Sequence, residues 1–411
     1  MIEINNIKTI VIVGAGVQGH AICQVALMAG FENVILNDIN MNILNKAVDL
    51  MRNGMKLMDS KSTTENNGLK ALEERGLLPE GQSCDALLEE LTLEIELEKA
   101  VKNADYVIEA VPEVMEIKQA VYKKLGSLTP NHTILASNTS TMSISKIGAA
   151  SGKAENVIGM HFFSPIRSRL IEITRGIKTT DNSMDIGESV ANKLPCIDGK
   201  RMVARLEKET PGFIANRINI VGELYLKWLL EQAVEKSIPY EKIDADVIHI
   251  MNPGPFELMD LIGIDTVYGA MKYFEETVSK DFSPGKVFTD LIESGNLGVK
   301  TGKGFYDWTS GEGPKIDPSK KAGIANAEIV LALQLNEGCR LIEQGIVNGY
   351  KIIDDVNLAG YGNPGPFIAG GKRNFERWSK LLENFAEKSG FTYAKPCELM
   401  KTGAFLKMRK K

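Results

Sequence analysis

Residues 9–38 read TIVIVGAGVQGHAICQVALMAGFENVILND, and this stretch specifies the fold class. A short apolar run, Thr9–Val13, leads directly into the glycine motif GAGVQG at positions 14–19. Apolar residues then recur at helical spacing, and a second apolar run, Val34–Leu36, precedes Asp38. The succession of strand, glycine turn, helix, strand and acid is typical of the first βαβ unit of a doubly wound α/β sheet.

Each glycine of the motif has a separate physical role. Gly14 permits the tight turn, Gly16 lets the backbone approach a pyrophosphate, and Gly19 lets the helix pack closely on the strand. The following helix N-terminus offers free N–H groups and the positive end of its dipole to an anion. Asp38 can accept hydrogen bonds from a ribose diol, and its charge repels a 2′-phosphate. The sequence therefore predicts a site for NAD rather than NADP.

The composition excludes several classes of protein. The 411 residues allow two or three domains, and the net charge of −5 gives no electrostatic reason to expect nucleic acid. Five scattered cysteines without a CxxC pair favour a reduced protein over a disulfide framework or a zinc site. No apolar stretch reaches the roughly 18 residues of a membrane span, and the first strand leaves no room for a signal peptide. We therefore expect a cytoplasmic protein without a metal or membrane segment.

Two polar residues stand where predicted strands end. Further apolar segments fit strands of the same sheet and lie at 91–95, 104–111, 133–137 and 157–161. Ser137 and His161 each end one of them, and open parallel sheets bind ligands at that edge. His161 is one of four histidines, and Glu172 follows eleven residues later. A histidine held in one tautomer by a carboxylate is a candidate general base.

The second half of the chain is predicted to be helical and duplicated. Apolar spacing over Phe213–Val234 predicts one long helix. The pentapeptide Asn-Pro-Gly-Pro-Phe occurs at 252–256 and again at 363–367, with similar flanks. A unit of about 100 residues is therefore repeated, with a polar boundary at 310–321.

Several motifs together resemble the 3-hydroxyacyl-CoA dehydrogenases over nearly the whole chain. They lie at 14–19, 109–113, 137–140, 161–165, 211–217, 254–256 and 300–306. The resemblance implies a Rossmann-like N-terminal domain, all-α C-terminal domains, and reversible NAD-dependent oxidation of (S)-3-hydroxyacyl-CoA to 3-oxoacyl-CoA in fatty-acid or related acyl-CoA metabolism. The corresponding domain division is 1–206 for NAD binding, 207–312 for the first helical copy and 320–411 for the second.

The same resemblance implies roles for individual side chains. His161 corresponds to the general base and Glu172 to its carboxylate partner. Ser137 and Asn216 correspond to groups that position the reacting oxygen and the thioester. The alternative for Ser137 is a turn or helix-cap role, and the alternative for Asn216 is a structural amide within a helix. The chain departs from the family's pattern in two places between His161 and Glu172. Ser164 stands where the family has asparagine, and the loop to Glu172 is one residue shorter than usual.

Cofactor contacts are implied for Glu113, Lys118 and Asp38, the last toward the ribose. The alternative for Lys118 is a surface ion pair. Arg167 and Arg169 could meet an anionic substrate group or remain solvated. The charged segment around Lys56 and Lys61 is a further candidate, for the phosphates of CoA.

Two other functions remain open from the sequence. The chain could be a dehydrogenase of a free 3-hydroxy acid in the same superfamily, or an NAD-binding protein without turnover. Family members with one helical unit use it to dimerise, and larger ones carry two packed units. We therefore expect an acyl-CoA substrate and either a monomer with an intrachain pseudo-dimer or a homodimer.

Overall fold

The computed structural model describes residues 7–54 and 66–409. By their contacts these residues form two units. Unit 1 comprises 7–54, 66–213 and Val356–Asn363, and unit 2 comprises Ile214–Asp355 and 364–409. The segment around Lys56 and Lys61 lies outside the described residues. No helix within the described ranges is long and apolar enough to cross a membrane.

Unit 1 contains one eight-stranded sheet in the order β3-β2-β1-β4-β5-β6-β7-β8. The first six strands are parallel, β7 runs antiparallel to β6, and β8 is parallel to β7. The strands are β1 Thr9–Val13, β2 Asn33–Asn37, β3 Leu91–Glu94, β4 Tyr106–Glu109, β5 Ile134–Ser137, β6 Val157–Phe162, β7 Leu170–Arg175 and β8 Met202–Leu206. The predicted doubly wound α/β fold is confirmed, and β1, β4 and β5 are buried along their whole length as inner parallel strands should be.

Helices connect the strands and cover the sheet. Those of unit 1 are α1 Val17–Met28, α2 Met41–Asn53, α3 Leu69–Glu74, α4 Cys84–Glu89, α5 Leu97–Val101, α6 Met115–Leu128, α7 Ile144–Ser151 and α8 Asp181–Lys193. Ten of the twelve residues of α1 are buried, because this helix packs directly behind the first strand. The sheet and α1 thereby form the apolar core on which the glycine turn rests.

The helical half begins with α9 Ala215–Ile220 and α10 Gly222–Glu235. The prediction of one helix over Phe213–Val234 is wrong at its start and in its interior. Phe213 has a φ of 53°, which no right-handed helix accommodates, so the helix starts two residues later. The second interruption falls at Val221, directly before Gly222, a weak helix former.

The remaining helices belong to the two copies of the repeat. The first copy continues with α11 Tyr240–Val247, α12 Pro255–Ile262, α13 Ile264–Thr277 and α14 Gly285–Glu293. The second contains α15 Ala327–Glu343, α16 Lys351–Tyr361, α17 Lys372–Ser389 and α18 Glu398–Thr402. All of α9–α15, α17 and α18 lie in unit 2, whereas the C-terminal part of α16 belongs to unit 1.

The two copies contact each other inside unit 2. Arg217 on α9 donates from Nε to Oε1 of Glu337 on α15 at 2.6 Å, and both side chains are buried. The carboxylate of Asp246 accepts three backbone N–H bonds from residues 323–325, and Asp281 accepts one from Tyr393. The expected packing of one copy on the other is thus present within the chain, while the number of chains in the assembly stays a prediction.

Candidate active site

The glycine turn after β1 has the close contacts that its glycines predict. Gly14 has a φ of 100°, and a Cβ there would lie 2.7 Å from the carbonyl oxygen of Ala110. A Cβ on Gly19 would lie 1.8 Å from the carbonyl oxygen of Gly14. A Cβ on Gly16 would meet nothing within 4 Å. Two glycines are therefore required by the fold, while the third leaves open space beside the N-terminus of α1.

Asp38 lies next to this turn. Its Oδ2 accepts from the backbone N–H of Ala15 at 2.8 Å, and its Oδ1 accepts from Ile39 at 2.7 Å. The side chain is only partly buried, so lone pairs remain accessible. An open glycine cradle, an uncapped helix N-terminus and a fixed carboxylate together fit the pyrophosphate and ribose of NAD.

His161 and Glu172 are brought together by strand register. They face each other directly across the antiparallel pair β6–β7, and His161 Nδ1 lies 2.8 Å from Glu172 Oε2. The histidine is 4% exposed and the glutamate 0%. Opposed residues of an antiparallel pair have neighbouring side chains, so the pairing does not depend on the length of the intervening loop.

Two phenylalanines flank the imidazole. The ring centroid of Phe163 lies 4.6 Å from that of His161, and that of Phe213 lies 5.8 Å away. Both rings are tilted by about half a right angle to the imidazole, at 54° and 49°. With Nδ1 held by Glu172 and both flanks packed, the imidazole has one orientation, and Nε2 is the nitrogen that remains for proton exchange.

Ser137 ends β5 and is fully buried. Its Oγ donates to Oε2 of Glu109 at 2.7 Å and accepts from the N–H of Thr139 at 3.3 Å. The alternative of a helix cap is wrong, because Ser143 caps α7, the helix that follows. A hydroxyl that donates to a carboxylate keeps its oxygen lone pairs for other donors.

Glu109 is a site residue that the sequence analysis quoted in a motif but assigned no role. It ends β4 in register with Ser137 and is 0% exposed. Its Oε1 accepts from Nζ of Lys118 at 2.8 Å and from the N–H of Val111 at 2.8 Å. An acid inside the apolar strand predicted at 104–111 was the available signal, because a buried charge needs a partner.

Lys118 is 1% exposed, so the alternative of a surface ion pair is wrong. Its Nζ also lies 3.1 Å from Oε2 of Glu113 and 3.4 Å from the carbonyl oxygen of Val111. The other oxygen of Glu113 accepts from Thr139 Oγ1 at 2.5 Å and from the N–H of Ser140 at 2.9 Å. The three donors of this ammonium are therefore used within the protein.

The buried charge also affects a tyrosine beneath the site. Burial, and then the negative charge of Glu109, raise the pKa of Tyr122 well above its usual value. The phenol therefore stays neutral at physiological pH, and Lys118 places one positive charge between the carboxylates of Glu109 and Glu113.

The loop between His161 and Glu172 is held in place by Arg201, a buried residue that no motif or spacing in the sequence marked. Its guanidinium donates to the carbonyl oxygens of Pro165, Ser168, Leu194 and Pro195. Burial lowers the pKa of Arg201 to about 10, which still leaves it charged at neutral pH.

The two arginines of the loop itself contact the segment that precedes β8. Arg167 pairs with Asp198 at 3.5 Å, and Arg169 donates from Nε to the carbonyl oxygen of Lys200 at 2.9 Å. These contacts favour a structural use of both arginines over binding of an anionic substrate group.

Gln18 joins the glycine turn to the loop between β6 and β7. Its Nε2 donates to the carbonyl oxygen of Phe163 at 3.3 Å. Its Oε1 is buried and has no hydrogen-bond partner within the described residues, so this oxygen can accept a hydrogen bond from a ligand.

Asn216 lies in unit 2, on α9, where it is partly buried.

The chain is similar in sequence to known proteins. The family profile described as "3-hydroxyacyl-CoA dehydrogenase, NAD binding domain" matches residues 9–204, and its "C-terminal domain" matches residues 212–308. The mitochondrial hydroxyacyl-coenzyme A dehydrogenase of Rattus norvegicus is 32% identical over 309 residues, which are 74% of this chain and 91% of that protein.

The fatty acid oxidation complex subunit alpha of Shewanella baltica is 30% identical over 418 residues, which are 97% of this chain and 55% of that protein. The chain thus spans about half the length of the curated relatives of this kind.

Solved structures agree in fold. A 3-hydroxybutyryl-CoA dehydrogenase from Escherichia coli K12 has a TM-score of 0.77 and 24% identity, over 98% of this chain and 99% of that one. An (S)-3-hydroxybutyryl-CoA dehydrogenase from Ralstonia eutropha has a TM-score of 0.58 and 27% identity, over 73% of this chain and 99% of that one. Both family domains match in order, and the first of them contains the paired His161 and Glu172. The chain therefore belongs to the 3-hydroxyacyl-CoA dehydrogenase family.

Proposed function

We propose that this chain catalyses the reversible NAD-dependent oxidation of (S)-3-hydroxyacyl-CoA to 3-oxoacyl-CoA. The observation that carries the proposal is the buried His161–Glu172 pair at the end of β6, in a sheet whose first strand ends in a dinucleotide turn. The relatives named as hydroxyacyl-CoA dehydrogenases support the substrate class.

His161 is the general base of this proposal. The carboxylate of Glu172 keeps the ring proton on Nδ1, so Nε2 presents a lone pair that can accept the proton of the 3-hydroxyl. The imidazolium formed in that step is buried and would be costly alone, and Glu172 stabilises it. In the reverse direction the same nitrogen returns the proton to the 3-oxo oxygen.

When bound, NAD supplies the hydride acceptor. We propose that Gly14, Gly16, Gly19 and Asp38 hold it, as the turn and its carboxylate fit. Glu113 is proposed as a cofactor contact, and Lys118 as the residue that positions Glu113, because its own donors are used internally.

Ser137 and Asn216 are proposed to orient the substrate. The hydroxyl of Ser137 is aligned by Glu109, which fixes where its lone pairs point. An amide such as that of Asn216 can donate to a thioester or ketone oxygen. In the cell we propose that the chain acts in the cytoplasm on an acyl-CoA, without a metal ion.

One substrate comparison tests the proposal against its rivals. Purified protein is mixed with NADH and either acetoacetyl-CoA or free acetoacetate, and loss of NADH absorbance is followed. We expect turnover with the thioester and at most a trace with the free acid. Preference for the free acid would favour the other dehydrogenase, and NADH binding without turnover of any acyl length would favour a binding protein.

A further inference from the structure

The C-terminal end of α16 packs against the sheet of unit 1. Residues Val356–Asn363 form the end of α16 and the turn after it, yet by their contacts they belong to unit 1. Ser168 Oγ donates to the carbonyl oxygen of Ala359 at 3.0 Å. A Cβ on Gly360 would lie 2.9 Å from Leu170 Cδ2, so helix and β7 approach closely. The end of α16 is therefore fastened to the loop that joins His161 to Glu172.

Tyr361, the last residue of α16, extends the aromatic contacts of the histidine. Its ring centroid lies 5.2 Å from that of Phe163, edge to face at 77°, and Phe163 in turn packs on His161. Tyr361 as a residue is 42% exposed, whereas His161 is 4% exposed. Tyr361 is therefore accessible to a substrate that approaches His161 from solvent.

We infer that Tyr361, together with Phe163, limits the length of the acyl group beside His161, so that Tyr361 is a specificity-determining residue. The inference rests on the proposed function. The 3-carbon of a substrate must lie within hydrogen-bond reach of His161 Nε2, and the acyl carbons beyond it leave from that point. Phe163 lies 4.6 Å from the imidazole and packs on Tyr361, and these two rings limit the space for the acyl carbons. Short acyl chains are therefore favoured over long ones.

The test compares Tyr361→Ala, Tyr361→Phe and, as matched control, Leu358→Ala, an exposed position on the same helix. kcat and KM are measured with NADH for acetoacetyl-CoA and 3-oxodecanoyl-CoA. We expect Tyr361→Ala to raise the long-to-short ratio of kcat/KM by about tenfold or more, since pocket contacts of a few methylenes discriminate to this degree. Tyr361→Phe and Leu358→Ala should keep the wild-type ratio.

Two outcomes separate this inference from the proposed function. An active wild type with an unchanged ratio in Tyr361→Ala rejects the inference alone. A wild type that reduces neither substrate rejects the proposed function and the inference with it. Thermal unfolding checks that Tyr361→Ala folds, and Tyr361→Leu replaces it if it does not, with the same shift of the ratio expected.

Discussion

At the residue scale, the site centres on the buried pair of His161 and Glu172, whose Nδ1 and Oε2 atoms lie 2.8 Å apart. His161 was selected by its place at the end of a predicted strand, and Glu172 as the carboxylate eleven residues later and by the family resemblance. The structure adds the reason that they meet, which is opposition across β6 and β7. Arg201 could not be selected in the same way, since its partners are backbone carbonyl oxygens, among them that of Pro165, 36 residues earlier in the chain.

Glu223 gives a residue-scale prediction about stability. Burial raises its pKa to about 8 from an ordinary value of 4.5, and its Oε2 has no hydrogen-bond partner within the described residues. The folded chain binds this proton more tightly than the unfolded chain. Its contribution to stability is therefore complete below about pH 4.5 and is lost as the pH rises to 8.

Glu223→Gln removes the titration at nearly constant size. Since one pKa unit corresponds to about 1.4 kcal/mol, we expect the variant to exceed wild type by roughly 2–4 kcal/mol in unfolding free energy at pH 9. At pH 5 the two should be nearly equal. Urea unfolding at both pH values measures this, and a pH-independent difference would show that the carboxyl is not buried as described.

At the element scale, periodicity and turns predicted the parallel part of the sheet. β7 was not predicted, because Glu172 and Thr174 interrupt its apolar run although both side chains are buried. The helix was predicted to begin at Phe213, since a positive φ at a phenylalanine leaves no trace in composition, whereas it begins at Ala215. Both errors concern residues next to His161, where the local conformation departs from what residue propensities predict.

The loop between β6 and β7 provides the element-scale prediction. Arg201→Lys keeps a cation but loses the fork that holds four carbonyl oxygens, so we expect a loss of about 2–4 kcal/mol in unfolding free energy. Arg169→Lys, exposed and with one such bond, is the control and should change it by less than about 1 kcal/mol. Chemical denaturation measures both, and equal effects would remove Arg201 from the support of this loop.

At the scale of the whole molecule, the duplicated pentapeptide predicted a repeat, and the contacts inside unit 2 show its two copies packed together. The sequence could not predict that the end of α16 joins the other unit, because this follows from a few contacts at Ser168 and Gly360. The three-part division of the chain at 206, 312 and 320 stays a prediction.

The packed repeat leads to an expectation about assembly. The second copy packs on the first within unit 2, and Arg217 of the first copy forms a buried ion pair with Glu337 of the second. We therefore expect sedimentation equilibrium to give the mass of one chain over a wide range of concentration. A strict dimer with the first copies packed on each other would contradict this.

The central claim is that His161 moves the substrate proton, and His161→Gln tests it most directly. kcat with acetoacetyl-CoA is measured beside the dissociation constant of NADH, with the exposed His132→Gln as control. Removal of a general base should lower kcat by about two to four orders of magnitude and leave NADH binding unchanged. A His161→Gln enzyme with near wild-type kcat would contradict the assignment.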